Sequence, residues 1–216
     1  MFSVILLMAG KGNRMNIDIN KTLLPLGDKL VYEHSLDKFL SFNDEIICVI
    51  SKDDEDKLKL PKNVKVVYGG LTRGESVKNG LEAASNPYII IHDAARPFIS
   101  LDIINQIKKL ANKEEAILTY LDVNDTIKLN DGKIKTLERN KLLRAVTPQC
   151  GPRDILLKAY NNAFNDKIEF TDDISLLEYY YPQININLIK ANDHSFKITT
   201  KVDYELAQIV WRKYYA

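Results

Sequence analysis

Val4-Ile5-Leu6-Leu7-Met8-Ala9-Gly10-Lys11-Gly12-Asn13-Arg14-Met15 sets the reading of this chain. The apolar run from Val4 to Leu7 predicts a buried strand. It breaks into a glycine-rich loop that already carries two cations, and Lys21 follows one short loop later. Glycines at 10 and 12 let backbone N–H groups approach an anion closely, because no Cβ stands in the way. A cationic, glycine-rich turn after a first strand is where α/β proteins hold phosphates. The same residues also read as a tight turn with solvated Lys and Arg. Two familiar phosphate loops are excluded by spacing. The pattern G-x-G-x-x-G needs a third glycine where Met15 stands, and G-x-x-x-x-G-K-[ST] fits around neither Lys11 nor Lys21. What remains is a phosphate loop with a built-in Arg and Lys, suited to a protein that binds a nucleotide and reacts its phosphates.

Outward from this stretch, strand-like and helical runs alternate. Strands are predicted at Phe2 to Leu7, Glu45 to Ser51, Val64 to Tyr68 and Tyr88 to His92. Helices are predicted around Tyr32 to Phe42, over Arg73 to Ala84, and from about Ser100, a suitable N-cap. Continuous apolar strands separated by helices indicate a largely parallel sheet covered on both faces, a Rossmann-like three-layer α/β sandwich. The alternation breaks after about residue 120. Asp125 to Lys128 and Lys133 to Leu137 flank Asn130-Asp131-Gly132, which predicts a β-hairpin turning at Asp-Gly. Leu142 to Thr147 resumes strand character. Arg153 to Phe164 and Ile174 to Tyr180 read as helices, Asn185 to Lys190 as a last strand and Val202 to Tyr215 as a closing helix. We expect a single domain over 1–216, with 122–141 as a protruding β-arm for dimerisation.

Composition narrows the partners. A net charge of +1 gives no global case for nucleic acid or membrane binding, so any anion must be held by a local cluster. Cys48 and Cys150 have no metal-like spacing, and a reduced, cytoplasmic protein is expected. The apolar N-terminus lacks a basic flank and reads as a strand, not a secretory signal. No stretch approaches the length of a membrane span.

The chemistry-bearing residues fall at the carboxyl ends of strands, where open α/β sheets collect ligands. These ends supply the cations Lys11, Arg14, Arg73, Arg96 and Lys197 and one carboxylate, Asp93. A carboxylate amid cations is a good Mg²⁺ ligand when phosphates share the coordination sphere. Asp93 also reads as a salt-bridge partner of Arg96 or as a helix N-cap. His34, His92 and His194 are isolated from other metal-ligating residues, which argues against zinc. Asp172-Asp173, after Thr171, caps the helix that follows. These parts suit nucleotidyl transfer: a phosphate monoester attacks the α-phosphate of a nucleoside triphosphate and pyrophosphate leaves. The nucleophile is already an anion, so no general base is required. Catalysis is then positioning plus charge stabilisation, with Arg14 and Lys21 the candidates and Mg²⁺ on Asp93.

The chain resembles the 2-C-methyl-D-erythritol 4-phosphate cytidylyltransferases of the isoprenoid pathway over nearly its whole length. The resemblance is carried by Ala9-Gly10-x-Gly12-x-Arg14-Met15, Gly69-Gly70-x-x-Arg73-x-x-Ser76-Val77 and His92-Asp93-Ala94-Ala95-Arg96-Pro97. It continues through Asp125-Thr126-Ile127-Lys128, Thr147-Pro148-Gln149, Thr171-Asp172-Asp173 and Lys197-Ile198-Thr199. It implies the nucleotidyltransferase fold and CTP as a substrate. The nucleotide would lie against Met8, Ala9, Gly10, Lys11, Gly12, Gly70, Ser76, Asp93 and Ala94. Arg14 and Lys21 would be catalytic. Asp93, Thr126, Arg139 and Lys197 would bind the polyol phosphate, with Thr126 and Arg139 reaching into a neighbouring subunit of a homodimer. The chain departs from the family pattern at Met8, Thr22, Cys150 and Ser195-Phe196. None of these removes a charged group of the mechanism; they bear on polyol specificity. The ribitol 5-phosphate cytidylyltransferases share fold and chemistry, but Ala95 and Ser76-Val77 favour the methylerythritol family. A nucleotide-binding module without turnover is the alternative of another class.

Overall fold

The computed structural model describes residues 1–10, 19–112 and 114–216. The first run of strands forms as the apolar pattern predicts: β1 (Phe2–Leu7), β4 (Glu45–Ile50), β5 (Val64–Tyr68) and β6 (Tyr88–Asp93). Two short strands, β2 (Pro25–Leu26) and β3 (Lys29–Leu30), pair antiparallel to each other between β1 and β4. The main sheet is completed by β7 (Glu115–Asp122), β10 (Leu143–Pro152) and β11 (Asn185–Lys190), in the spatial order β11-β7-β10-β6-β1-β4-β5. All neighbours are parallel except β10, which runs antiparallel to both β6 and β7.

Alternate side chains of the strands feed two separate cores, as the two-residue period of a strand requires. On one face Val4, Leu6, Ile46, Cys48 and Ile90 meet Tyr32, Leu36 and Phe39 of α1 (Val31–Leu40) and Ile103, Ile104 and Ile107 of α3 (Leu101–Leu110). On the other, Ile5, Ile47, Val49, Ile89 and Ile91 meet Val77 and Leu81 of α2 (Arg73–Ala83). The same face takes Leu156 and Ala159 of α4 (Arg153–Asp166) and Ile174 and Leu177 of α5 (Asp173–Tyr180). The result is the three-layer sandwich. Ser100 caps α3 by accepting from Ile103 N, at the expected place.

A third apolar cluster joins α6 (Lys201–Tyr214) to the segment between β1 and α1, through Ala207, Val210, Leu26, Val31, Phe98 and Ile198. Gly27 sits here at φ +64, and a Cβ on it would come within 1.9 Å of the Trp211 ring, so only glycine allows this approach. The hairpin pairs β8 (Lys128–Asn130) with β9 (Ile134–Thr136) outside the main sheet. Gly132 takes φ +73 in the turn, the left-handed conformation that its Asp-Gly signal requires. Pairing begins later than the Asp125 expected, at Lys128, and one further bond runs from Leu137 N to Ile127 O.

Candidate active site

A cleft of about 540 Å³ opens at the carboxyl ends of β1, β5 and β6. Met8, Ala9 and Gly10 leave β1 along one wall, and Lys21 and Thr22 lie beside them. Gly70 to Arg73 and Ser76 form a second wall, and Asp93, Ala95, Lys197 and Thr199 a third. Two of these segments touch: a Cβ on Gly69 would stand 2.5 Å from Ala9 Cβ and 2.8 Å from Ser76 Oγ. Thr72 caps α2 in a reciprocal box, accepting from Glu75 N at 3.1 Å while Glu75 accepts from Thr72 N at 3.2 Å. The positive end of α2 therefore faces the cleft. Ser76 accepts from Gly70 N at 3.1 Å and donates to Thr72 O at 3.0 Å, so its hydroxyl shapes the Gly-Gly turn.

Asp93, the last residue of β6, is the electrostatic centre. Its Oδ2 lies 2.8 Å from Lys197 Nζ and 3.8 Å from Arg96 Nε, and its Oδ1 lies 3.9 Å from Arg73 Nε. Burial alone would raise the pKa of this carboxyl. Lys197, Arg73 and Arg96 outweigh that and hold it well below the usual carboxylate range, so it is ionised at neutral pH. Three cations around one carboxylate leave a surplus of positive charge, which phosphates would neutralise. Arg96 donates to Ser195 O at 2.9 Å, while its buried Nε has no hydrogen-bond partner among the described residues. Lys197 is carried by a loop whose Ile198 N bonds to Ala95 O at 2.9 Å.

Behind Asp93 the wall is fixed by β10, whose register slips between Val146 and Cys150. Thr147 Oγ1 accepts from Asp93 N at 3.0 Å and lies 3.2 Å from His92 Nδ1. Arg96 O can only accept, so Nε2–H of His92 donates to it at 3.2 Å, and Nδ1 of the neutral ring is left to accept from the Thr147 hydroxyl. Burial pulls the His92 pKa down to about 3, so the ring is neutral and structural, as the sequence suggests. Burial pushes the thiols of Cys48 and Cys150 upward, which keeps both out of the chemistry.

The two aspartates expected to cap α5 divide the work. Asp172 is the cap, accepting from Ser175 N at 2.9 Å. Asp173 instead turns inward, where Arg73 grips it with two bonds of 2.9 and 2.8 Å and Tyr160 OH donates to it. Gln149 Oε1 accepts from Asp173 N at 2.9 Å. Arg73 thus links the cleft carboxylate Asp93 to a buried one.

Of the residues expected at the site, Met8, Ala9, Gly10, Lys21, Gly70, Ser76, Asp93 and Lys197 line one cleft. Ala94 does not: its side chain is packed in the core and its N–H donates to Leu7 O at 3.1 Å, while Ala95 takes the lining position. Thr126 and Arg139 lie on the hairpin side of the fold, away from this cleft, with Arg139 donating to Asn124 O at 2.8 Å. Lys11, Gly12 and Arg14 lie outside the described residues. The Asp93–Arg96 pair, three residues apart, is the salt bridge that the sequence offers as one reading of Asp93. Arg73, in contrast, is legible only as a cation near a strand end, and its contact with Asp93 comes from the sheet order. Among the described residues no cluster of three or more His, Cys, Asp or Glu is built to hold a metal. No described helix is long and apolar enough to cross a membrane.

Comparison with known proteins agrees with this geometry. The family model IspD, 2-C-methyl-D-erythritol 4-phosphate cytidylyltransferase, matches residues 2–213. The chain is 37% identical over 221 residues to the enzyme of that name from Clostridioides difficile, covering 96% of this chain and 92% of the relative. It is 39% identical to the one from Clostridium novyi, covering 95% and 94%. The crystal structure of 4-diphosphocytidyl-2C-methyl-D-erythritol synthase from Anaerococcus prevotii aligns with a TM-score of 0.87 at 28% identity, covering 98% of both chains.

Proposed function

The chain belongs to the 2-C-methyl-D-erythritol 4-phosphate cytidylyltransferase family, and from that premise we propose how its residues carry out the reaction. The enzyme transfers CMP from CTP to 2-C-methyl-D-erythritol 4-phosphate and releases pyrophosphate. An oxygen of the polyol phosphate attacks the α-phosphorus of CTP. The bond from that phosphorus to the bridging oxygen breaks, and its electron pair leaves with pyrophosphate. The observation that carries our assignment of roles is the surplus of positive charge around ionised Asp93, in a cleft whose described lining holds no histidine and no other carboxylate.

Lys197 and Arg96, both against Asp93, would hold the attacking phosphate. Met8, Ala9, Gly10, Gly70 and Ser76, with Lys11 and Gly12, would cradle the nucleotide, beside Ala95 in the wall. Lys21 and Arg14 would meet the charge that develops on the transferring phosphoryl group. One carboxylate without further protein ligands fits Mg²⁺, which takes few protein ligands when phosphates complete its shell. Asp93 and the triphosphate would hold it. Bound there, Mg²⁺ would neutralise phosphate charge.

We read 1–216 as one nucleotidyltransferase domain, a reading supported by a single main sheet whose strands run from Phe2 to Lys190. The segment 122–141 is its arm, placing Thr126 and Arg139 at the partner's polyol phosphate in a homodimer. A cytoplasmic location fits a small-molecule enzyme with two free, buried cysteines.

Pyrophosphate release measured with CTP and Mg²⁺ tests the assignment. Fast release is expected with 2-C-methyl-D-erythritol 4-phosphate and little with ribitol 5-phosphate; the reverse preference would contradict the substrate, and silence with both would contradict turnover. Arg139→Ala tests the arm. Losing one hydrogen bond to a charged group costs about 1.5–3 kcal/mol, so KM for the polyol phosphate should rise about 10- to 100-fold. The dissociation constant of CTP should stay within about twofold. A strict monomer in sedimentation would remove the arm from the site.

A further inference from the structure

Asn20, a buried residue immediately before Lys21, has every hydrogen-bonding position of its side chain engaged. Its Nδ2 donates to Met8 O at 2.7 Å and to Asp54 Oδ2 at 2.9 Å. Its Oδ1 accepts from Thr22 N at 3.1 Å and Thr22 Oγ1 at 3.0 Å, capping the 3₁₀ turn Lys21–Leu23 that carries the lysine. A side-chain amide has two donor hydrogens and two acceptor lone pairs, so the set is complete. The anchors are themselves fixed. Met8 N donates to Val49 O at 2.8 Å, continuing the pairing of β1 with β4. Asp54 lies in the 3₁₀ segment Lys52–Lys57 that follows β4 and pairs with Lys57 at 3.0 Å. Neither Asn20 nor Asp54 lines the cleft, whereas Met8 and Lys21 both do.

We propose that Asn20, backed by Asp54, is a positioning residue that sets Lys21 at the depth in the cleft where it meets the transferring phosphoryl group. The inference rests on the reading of Lys21 as the cation that stabilises that group. A lysine is a point charge on a flexible four-carbon stem, so its usefulness depends on where its backbone is held. A misplacement of about 1 Å can cost a hundredfold in rate. Asparagine is required by the pattern of partners. Aspartate could not donate to Met8 O and would oppose the Asp54 carboxylate, and alanine would leave Met8 O and Thr22 N–H without their partner.

The test is a double-mutant cycle in turnover at saturating CTP and 2-C-methyl-D-erythritol 4-phosphate, using Asn20→Ala, Lys21→Ala and the pair, with thermal melts confirming folded protein. Asn20→Ala is expected to lower kcat about 10- to 100-fold, while KM for CTP changes less than about threefold. In the Lys21→Ala background, Asn20→Ala should change kcat by less than about twofold, because a positioning residue has nothing left to position. Asp54→Ala, which removes one anchor and keeps the cap, should give a smaller loss with the same lack of additivity. It serves as the variant if Asn20→Ala does not fold. Unchanged kcat in Asn20→Ala, or losses that multiply in full with Lys21→Ala, would overturn the proposal while leaving the role of Lys21 intact. Unchanged kcat in Lys21→Ala would overturn the reading of Lys21, and the role of Asn20 with it.

Discussion

Lys21→Ala should lower kcat by about 10²- to 10³-fold, with CTP binding changed only a few-fold. The magnitude is that of removing one preorganised donor aimed at developing charge, roughly 2.7–4 kcal/mol. Lys21 lies in the cleft wall and is only 8% exposed, so its charge acts where water screens it poorly. The ground-state triphosphate has other holders in the same cleft, among them the amino end of α2 and the Gly-Gly turn. Ground-state affinity should therefore survive the substitution, and the loss should fall on the step in which charge moves onto the α-phosphoryl oxygens. Single-turnover rates together with calorimetric CTP titration separate the two. A loss of CTP affinity equal to the loss in kcat/KM would make Lys21 a binding residue and nothing more.

Asp173→Ala should be the most destabilising single change within reach of the cleft, at about 3 kcal/mol. Breaking a buried pair by removing one partner typically costs about 3–5 kcal/mol, because the other charge stays behind. The low end applies here, since the Arg73 side chain keeps 32% of its surface while that of Asp173 keeps 1%. Tyr160 OH would lose its acceptor as well. For a chain of this size each kcal/mol moves Tm by about 2–4 °C, so a fall on the order of 10 °C is expected in calorimetry. The adjacent residue is the internal control. Asp172→Ala removes a helix cap, typically worth about 1 kcal/mol. Equal losses at 172 and 173 would mean that the pair with Arg73 contributes no more than a cap.

Those two aspartates mark the limit of what local pattern carries. Capping at Asp172, the Ser100 cap, the Asp-Gly turn and the first four long strands were all readable, because each is fixed by a few neighbouring residues. The inward turn of Asp173 was not, since its partner Arg73 lies 100 residues away. Nor was the antiparallel insertion of β10 between β6 and β7, or β7 itself, which sits where the alternation of strands and helices breaks down. Strand direction is decided by pairing across the sheet, and an apolar run reads alike both ways. The cation cluster was half legible. The sequence puts charges at strand ends, but only the sheet order brings Lys197 to Asp93 across 104 residues.

That separation also sets a timetable. The first long strands in the chain lie together at one end of the sheet, in the order β6-β1-β4-β5, and β11 is the opposite edge. A nascent chain can pair β1, β4, β5 and β6 once residue 93 has emerged from the ribosome, yet Asp93 still lacks whichever of Lys197, the Thr147 hydroxyl and the anchor of Arg73 in Asp173 has not followed it out. Long-range contacts of this kind form late. The carboxylate that organises the cleft is thus translated well before the lysine that neutralises it. Catalytic competence should accordingly lag behind the first protease-resistant structure during synthesis.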